Sequence, residues 1–129
     1  MDIHKTYFID APAEKVWAAL TEPLVIDRWG GGPSKMAAEP GFEFSFWGGD
    51  IHGTVVEVEP GKLLVEEWFS GEWSSPSIAR FIVHAEPDGG TRLALLQTDV
   101  PDADAPDIDT GWDEYYLGPI QSLLEAEAN

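Results

Sequence analysis

Two ionisable side chains lie in apolar, strand-forming segments, where an imidazole or a carboxylate can act as a general base. His52 lies between Ile51 and Gly53, and Glu66 lies in the middle of the segment from Leu63 to Phe69. Proton transfer by such groups is a common catalytic device. These two residues are therefore the candidates for a cyclase-type or hydrolase-type reaction. A histidine or glutamate in a strand more often has a structural role, so the preferred interpretation is a protein without catalytic activity.

Several other kinds of site are excluded by residue type or spacing. There is no cysteine, which excludes disulfides, thiolate zinc sites and cysteine nucleophiles. His4, His52 and His84 are scattered and suggest no zinc site. The acidic run 99–114 has two prolines and lacks EF-hand spacing, and the glycines at 30–32 lack the Lys-Ser/Thr of a phosphate loop. We expect no metal ion and no cofactor.

The chain is strongly acidic. Seven Lys and Arg residues stand against 24 Asp and Glu residues, for a formal net charge of −17, and no Lys or Arg follows Arg92. Such a surface repels nucleic acids and anionic membranes. No apolar run approaches the roughly 20 residues of a membrane-spanning helix, and residues 1–5 do not resemble a signal peptide. We expect a cytoplasmic protein that neither binds nucleic acid nor inserts into a membrane.

The charge also predicts a dependence of stability on salt. Like charges repel one another in the folded state, and salt screens that repulsion. We expect the melting temperature to rise from low to molar KCl, as in a halophile with a salt-rich cytoplasm. Thermal melts followed by circular dichroism test this expectation. If salt brings no gain in stability, the chain is an ordinary acidic protein.

The N-terminal third reads as one strand followed by two short helices. A strand from Asp2 to Ile9 ends at Asp10-Ala11, and Pro12 suits the first turn of a helix. Val16, Trp17 and Leu20 have helical spacing. Thr21 is the predicted N-cap of a second helix, which the run from Gly30 to Pro33 ends. Its residues Leu24, Ile26 and Trp29 are predicted to face inward, and Trp17 is assigned to the core.

The middle of the chain alternates with a period of two, which is typical of strands. Short turns at 48–50, 60–62 and 87–90 separate the strand segments, and a loop at 71–76 holds Trp73. Closely spaced strands joined by such turns predict an antiparallel meander. Including the N-terminal strand, the sheet has about six or seven strands.

A long helix is predicted at the C-terminus. Residues 100–110 are acidic and hold two prolines, which predicts a loop or a frayed entry to the helix. The apolar face that follows comprises Ile108, Trp112, Tyr115, Tyr116, Ile120, Leu123 and Leu124. Pro119 lies inside this helix, frees the carbonyl of Tyr115 and predicts a kink. Since an apolar sheet face must be covered, we expect an α+β fold in one domain, residues 1–129, with this helix across the sheet.

The order of several local motifs resembles a known family. The motifs are Phe8 to Trp29, Pro40-Gly41, Gly53 with Glu57-Val58-Glu59-Pro60, Trp68, Asp88 to Leu93, Gly111-Trp112 and Tyr115-Tyr116. Together they resemble the homologues of the heat-shock-protein-ninety ATPase activator, in the START-related SRPBCC superfamily. The resemblance implies a helix-grip fold, in which a curved antiparallel sheet grips a long C-terminal helix and a cavity lies between them. It also implies that this chain is the C-terminal type of domain, with a chaperone as an alternative partner.

The resemblance also helps to orient one strand. By alternation alone, either Leu64, Glu66 and Trp68 point inward, or the residues between them do. The family pattern favours Trp68 inward, which brings Glu66 inside with it. A carboxylate there needs a partner or has a raised pKa. Gln97 stands where the family often carries a histidine.

These considerations predict a binding protein for a small apolar or amphipathic molecule. Alternation places His52 with Thr54, Val56 and Val58 on the inner face. The predicted ligand-binding residues are Trp29, Phe44, Phe46, His52, Trp68, Phe81, Leu95, Gln97, Trp112 and Tyr116. The strongest candidates for ligand contact are Trp29, at the cavity mouth, and Trp112, on the gripping helix. A cavity of about 300–1,000 Å³ favours ligand binding, whereas a filled interior favours an interaction module. A co-chaperone-like module and a cavity enzyme are the alternatives.

Overall fold

The computed structural model describes residues 1–127, and within them six strands form one antiparallel sheet. The strands are β1 (Ile3–Ile9), β2 (Glu43–Phe46), β3 (Ile51–Glu59), β4 (Leu63–Ser70), β5 (Ser77–Ala85) and β6 (Thr91–Thr98). Their order across the sheet is β1-β6-β5-β4-β3-β2. The helices are α1 (Ala13–Thr21), α2 (Pro23–Trp29), α3 (Ala105–Gly111) and α4 (Gly118–Glu127). A π-helical turn, Trp112–Leu117, joins α3 to α4 and completes one long C-terminal helix. The predicted α+β fold is confirmed.

One face of the sheet is the core. In β5, Ser77, Ala79, Phe81 and Val83 are buried, whereas the residues between them are more accessible. The same alternation runs through β6, where Leu93, Leu95 and Gln97 are buried. The C-terminal helix covers this inner face with buried residues from each of its parts. No helix within residues 1–127 has the length and apolarity needed to cross a membrane.

The predicted inner face of β3 is wrong because the strand contains a bulge. Val55 lies opposite Glu66, but Glu57 lies opposite Val65, so Val56 is an extra residue. A bulge shifts the phase of the side-chain alternation. Val56 is therefore 48% exposed, while Val58, beyond the bulge, packs on the core. His52, before the bulge, lies on the outer face.

The second helix differs from its prediction in two residues. Thr21 is the last residue of α1, where its hydroxyl donates to the Trp17 carbonyl at 2.8 Å, and Glu22 occupies the N-cap of α2. Leu24 is 81% exposed. Only one side of this helix is buried. Successive helical residues are about 100° apart, so Leu24 lies on nearly the opposite side of the helix from Ile26.

The C-terminal helix begins at Ala105, inside the segment predicted to be a loop or a frayed entry to the helix. Pro106 does not prevent this, because the first turn of a helix does not use its backbone N–H groups. Near Pro119 the helix widens into the π-helical turn that ends at Leu117. A β-carbon at Gly118 would lie 2.2 Å from the Asp113 carbonyl oxygen. The π-helical turn therefore requires glycine at this position.

Replacing Gly118 with alanine is expected to reduce the free energy of unfolding by about 1–3 kcal/mol, as overpacking does elsewhere. Gly111→Ala is the matched control in the same helix, because its nearest neighbour, Tyr115, lies 4.0 Å from the added carbon. The control is expected to stabilise by up to about 1 kcal/mol through helix propensity. Urea denaturation measures both changes. Equal effects of the two substitutions would contradict a requirement for glycine at 118.

Candidate functional site

The centre of the space between sheet and helix is filled by aromatic rings. Tyr116 from the π-helical turn stacks on Phe46 and Phe81, with ring centroids 5.5 Å and 5.9 Å away. Trp29 lies 4.7 Å from the same tyrosine and donates its indole N–H to the Ala19 carbonyl at 2.8 Å. The predicted central cavity is thus occupied by the protein's own side chains.

A pocket of about 200 Å³ lies at one end of this aromatic layer. It opens where β3 begins, β4 ends and the C-terminal helix crosses them. Its lining comprises Trp47, Asp50, Ile51, Trp68, Asp107, Ile108, Gly111, Trp112 and Tyr115, and we call it the aromatic pocket. A larger depression of about 660 Å³, near the β3–β4 hairpin, has no aromatic residue in its lining.

Trp47 is held in the pocket wall by an unusual backbone conformation. Its φ is +51°, and the glycines at 48 and 49 that follow also have positive φ. Its backbone N–H donates to the Gly31 carbonyl at 2.9 Å, and its indole N–H donates to the Gly30 carbonyl at 2.6 Å. A bulky residue in the left-handed region costs on the order of 1–3 kcal/mol and often marks a functional site.

A chain of buried hydrogen bonds fixes Trp112 in the opposite wall. Its indole N–H donates to Gln97 Oε1 at 2.7 Å, and Gln97 Nε2 donates to the Ser77 hydroxyl at 2.9 Å. That hydroxyl donates to the Trp68 carbonyl at 2.8 Å. The rings of Trp68 and Trp112 lie 5.2 Å apart. Each polar atom in this chain has a partner, which holds the Trp112 ring in place. The chain ends on the backbone carbonyl of Trp68, whose own indole N–H has no acceptor within residues 1–127.

Glu66 is fully buried, and neither carboxyl oxygen has a hydrogen-bond partner among residues 1–127. Burial raises the pKa of Glu66 to about 8, because an apolar surrounding disfavours the charged form. Burial, followed by the proximity of Glu66, raises the pKa of Tyr116 well above its usual range. At neutral pH the protonated form of the Glu66 carboxyl therefore predominates, and only a minor fraction is ionised and able to accept a proton.

Among the predicted binding residues, Trp68 and Trp112 line the aromatic pocket. Trp29, Phe44, Phe46, Phe81, Leu95 and Tyr116 are buried in the core, and Gln97 belongs to the hydrogen-bond chain. His52 instead stacks on Phe69 at 5.1 Å on the outer face, and its Nε2 lies 3.1 Å from the Gly71 carbonyl oxygen. That position keeps His52 apart from the pocket.

The sequence reasoning missed seven of the lining residues. Asp107, Ile108, Gly111 and Tyr115 follow one another at helical spacing together with Trp112, which was a usable signal. Trp47 was marked only by the glycines after it, and Asp50 and Ile51 by their place at the start of β3. Within residues 1–127, no group of three or more His, Cys, Asp or Glu side chains is placed to hold a metal ion.

The chain is similar to known proteins in both sequence and fold. The family model described as Activator of Hsp90 ATPase homolog 1-like protein matches residues 10–125, nearly the whole chain. The chain belongs to this family. The Activator of Hsp90 ATPase homolog 1-like assignment agrees with the resemblance seen in the motifs and with the observed fold.

Two curated relatives match nearly the whole of this chain but only part of their own length. An uncharacterised protein of Schizosaccharomyces pombe is 25% identical over 124 residues, which are 95% of this chain and 37% of the relative. The mouse activator of 90 kDa heat shock protein ATPase homolog 2 is 24% identical over 127 residues, 98% of this chain and 38% of the relative. The chain thus spans little more than a third of the curated relatives it matches.

Solved structures of similar proteins have the same fold. An HSP90 activator from Plasmodium falciparum superposes with a TM-score of 0.90 at 22% identity and covers 96% of each chain. The Aha1 dimer from Colwellia psychrerythraea has a TM-score of 0.81 at 20% identity, covering 100% of this chain and 99% of the other. In these two structures the match extends over nearly the whole of both chains.

Proposed function

We propose that this Activator of Hsp90 ATPase homolog 1-like chain is a cytoplasmic protein that binds a small apolar or amphipathic molecule in the aromatic pocket. The observation that carries the proposal is the pocket lining, in which Trp47, Trp68, Trp112 and Tyr115 surround a space of about 200 Å³. Ligand sites are typically concave and lined by aromatic and apolar side chains with a few polar groups. The aromatic pocket has this composition.

The volume of the pocket limits the size of the ligand. Sites for drug-sized molecules measure about 300–1,000 Å³, whereas an apolar cavity of about 150 Å³ is large enough for benzene. A space of about 200 Å³ therefore suits a molecule of about one ring. Larger molecules, such as long lipids, do not fit without rearrangement of the aromatic layer.

Two features support a binding role over a purely structural one. The strained backbone of Trp47, with φ of +51°, keeps an indole in the pocket wall. The indole N–H of Trp68 is buried and has no acceptor among residues 1–127. An unpaired buried donor is costly, and because this nitrogen has no accessible surface, a ligand with an acceptor group reaches it only if the Trp68 side chain moves.

Thermal shift and tryptophan fluorescence with fragment-sized aromatics, such as phenol, indole and benzyl alcohol, test the proposal. We expect a concentration-dependent rise in melting temperature, since a ligand of the folded state stabilises it. Ile108→Phe should fill the pocket and abolish the rise. Ile82→Phe is the matched control, because Ile82 is exposed and does not line the pocket. A broad fragment library that produces no shift would contradict the proposal.

A second candidate function is interaction with a chaperone of the 90 kDa heat-shock class. Two observations favour it. The centre of the fold is filled by side chains, which is the outcome expected for an interaction module, and the Plasmodium HSP90 activator is a chain of the same extent with a TM-score of 0.90. A module of this size therefore occurs in a protein described as an activator. A purified chaperone should hydrolyse ATP faster in the presence of this chain, at low and high salt. An unchanged rate under both conditions would dispose of this alternative.

A further inference from the structure

Two aspartates without a basic partner border the aromatic pocket, whose own surface is almost entirely apolar. Asp50 and Asp107 belong to its lining, and both are exposed. Neither carboxylate has an ion pair or side-chain hydrogen bond within residues 1–127. The lysine that contacts this helix, Lys5, lies 3.1 Å from Asp109 and 2.7 Å from Asp113. The charge at the pocket is therefore not neutralised by the protein.

We propose that the ligand of the aromatic pocket is a small organic cation, of the methylated-ammonium class. This inference rests on the proposed binding function and adds the sign of the ligand's charge. Indole and phenol rings attract a cation that lies within about 6 Å of the ring, with tryptophan the strongest. The pocket lining provides Trp47, Trp68, Trp112 and Tyr115 together with two carboxylates.

The charge distribution of the whole chain acts in the same direction. The formal net charge is −17, and no Lys or Arg occurs after Arg92 in the segment that forms one wall of the pocket. Such a field raises the local concentration of cations and repels anions. An uncharged apolar ligand would need only the rings, and it would draw nothing from Asp50 or Asp107. The carboxylates therefore separate the cation from the neutral alternatives.

The pocket size agrees with a compact cation. A space of about 200 Å³ accommodates a trimethylammonium group and a short substituent. Tyr115 is 64% exposed at the rim, where its ring can contact a substituent that extends out of the pocket.

The direct test compares choline with 3,3-dimethylbutan-1-ol, its uncharged carbon analogue of nearly the same shape. Tryptophan fluorescence and chemical-shift titrations at low salt follow both compounds. We expect choline to bind at least about 10-fold more tightly, since cation–π and carboxylate attraction act on it alone. We also expect its affinity to fall as salt is added, because salt screens the exposed carboxylates.

Variants separate local attraction from the field of the whole protein. The double variant Asp50→Asn/Asp107→Asn should weaken choline binding by about 3–10-fold, a size typical of two exposed charges, and leave the neutral analogue unchanged. Glu59→Gln also removes a negative charge, but it lies at the far end of β3 from Ile51. It should leave both affinities nearly unchanged. An equal loss in Glu59→Gln would overturn a local role for the two aspartates.

The outcomes distinguish this inference from the proposal on which it rests. Equal affinities of choline and its analogue would overturn the cation and leave the binding function standing. If neither compound binds but aromatic fragments in the screen do, the cation is again overturned and the binding function stands. Failure of both compounds together with the whole fragment library would overturn the binding function as well.

Discussion

Replacing Gly53 with alanine is expected to reduce the free energy of unfolding by more than about 3 kcal/mol, which places it among the most damaging single substitutions. A β-carbon at this position would lie 1.8 Å from the Glu67 carbonyl oxygen and 2.9 Å from Cζ of Phe44. Gly53 pairs with Phe44 on β2 and with Trp68 on β4. Because backbone of the neighbouring strand blocks the added carbon, the sheet itself must shift.

Guanidinium denaturation at constant salt and pH measures this effect. Thr54→Ala is the matched control in the same strand, because it removes atoms from the half-buried side chain that follows Gly53. Its effect should stay within the roughly 1 kcal/mol span of strand propensities. If Gly53→Ala reduces the free energy of unfolding by less than about 1 kcal/mol, β3 and β4 tolerate the shift. The prediction would then be wrong.

Replacing Glu66 with glutamine is expected to stabilise the protein increasingly as the pH rises. The pKa of Glu66 is raised from 4.5 to about 8 in the folded state. Below about pH 4.5 the carboxyl is protonated in both folded and unfolded states and contributes no pH dependence. Between these values only the unfolded state loses its proton, which favours unfolding. Above about pH 8 both states are ionised, and the accumulated penalty is constant.

The size of this stabilisation follows from how far the pKa of Glu66 is raised on folding. The penalty at high pH is on the order of 5 kcal/mol for a fully buried carboxyl with a pKa of about 8. Glutamine has nearly the same shape and never ionises. The wild-type and Glu66→Gln chains should therefore differ little near pH 5 and by several kcal/mol near pH 8. Tyr116, whose pKa is raised partly by Glu66, stays protonated throughout this range.

Urea denaturation of both chains across this pH range is the measurement. Glu67→Gln is the control for the loss of one negative charge, since Glu67 follows Glu66 but lies on the outer face, opposite Ile78 and Thr54. Its difference from the wild-type chain should change much less with pH. Parallel curves for the wild-type and Glu66→Gln chains would show that Glu66 finds a partner or solvent.

Much of the fold could be predicted from local patterns. The turns at 48–50, 60–62 and 87–90 separate strands, as expected, because glycine adopts the positive φ that these turns contain and proline fixes its own φ. The strand, two short helices, strand meander and C-terminal helix occur in the predicted order. Local patterns failed at the bulge beside Val56, since the extra residue in a bulge is defined only by the register of two strands.

The candidate site was harder to predict from the sequence than the fold was. Each predicted aromatic residue was apolar and inward-facing, but this does not separate a ring in the core from a ring at a pocket. Trp29 and Tyr116 contact each other at 4.7 Å and leave no space between them. Trp68 and Trp112 border the aromatic pocket, because Asp50, Ile51 and Ile108 approach them from separate segments.

The family resemblance implied the helix-grip architecture. The residues by themselves determined the acidic charge, the order of the elements, an antiparallel sheet covered by a C-terminal helix and the supply of aromatic side chains. These properties depend on composition, turn chemistry and short-range periodicity. Only the tertiary structure decided that the centre is filled, that a small aromatic pocket remains at one end, and that Glu66 is buried without a partner. Burial and free volume arise from the packing of residues far apart in the chain, and periodicity within one segment carries no information about that packing.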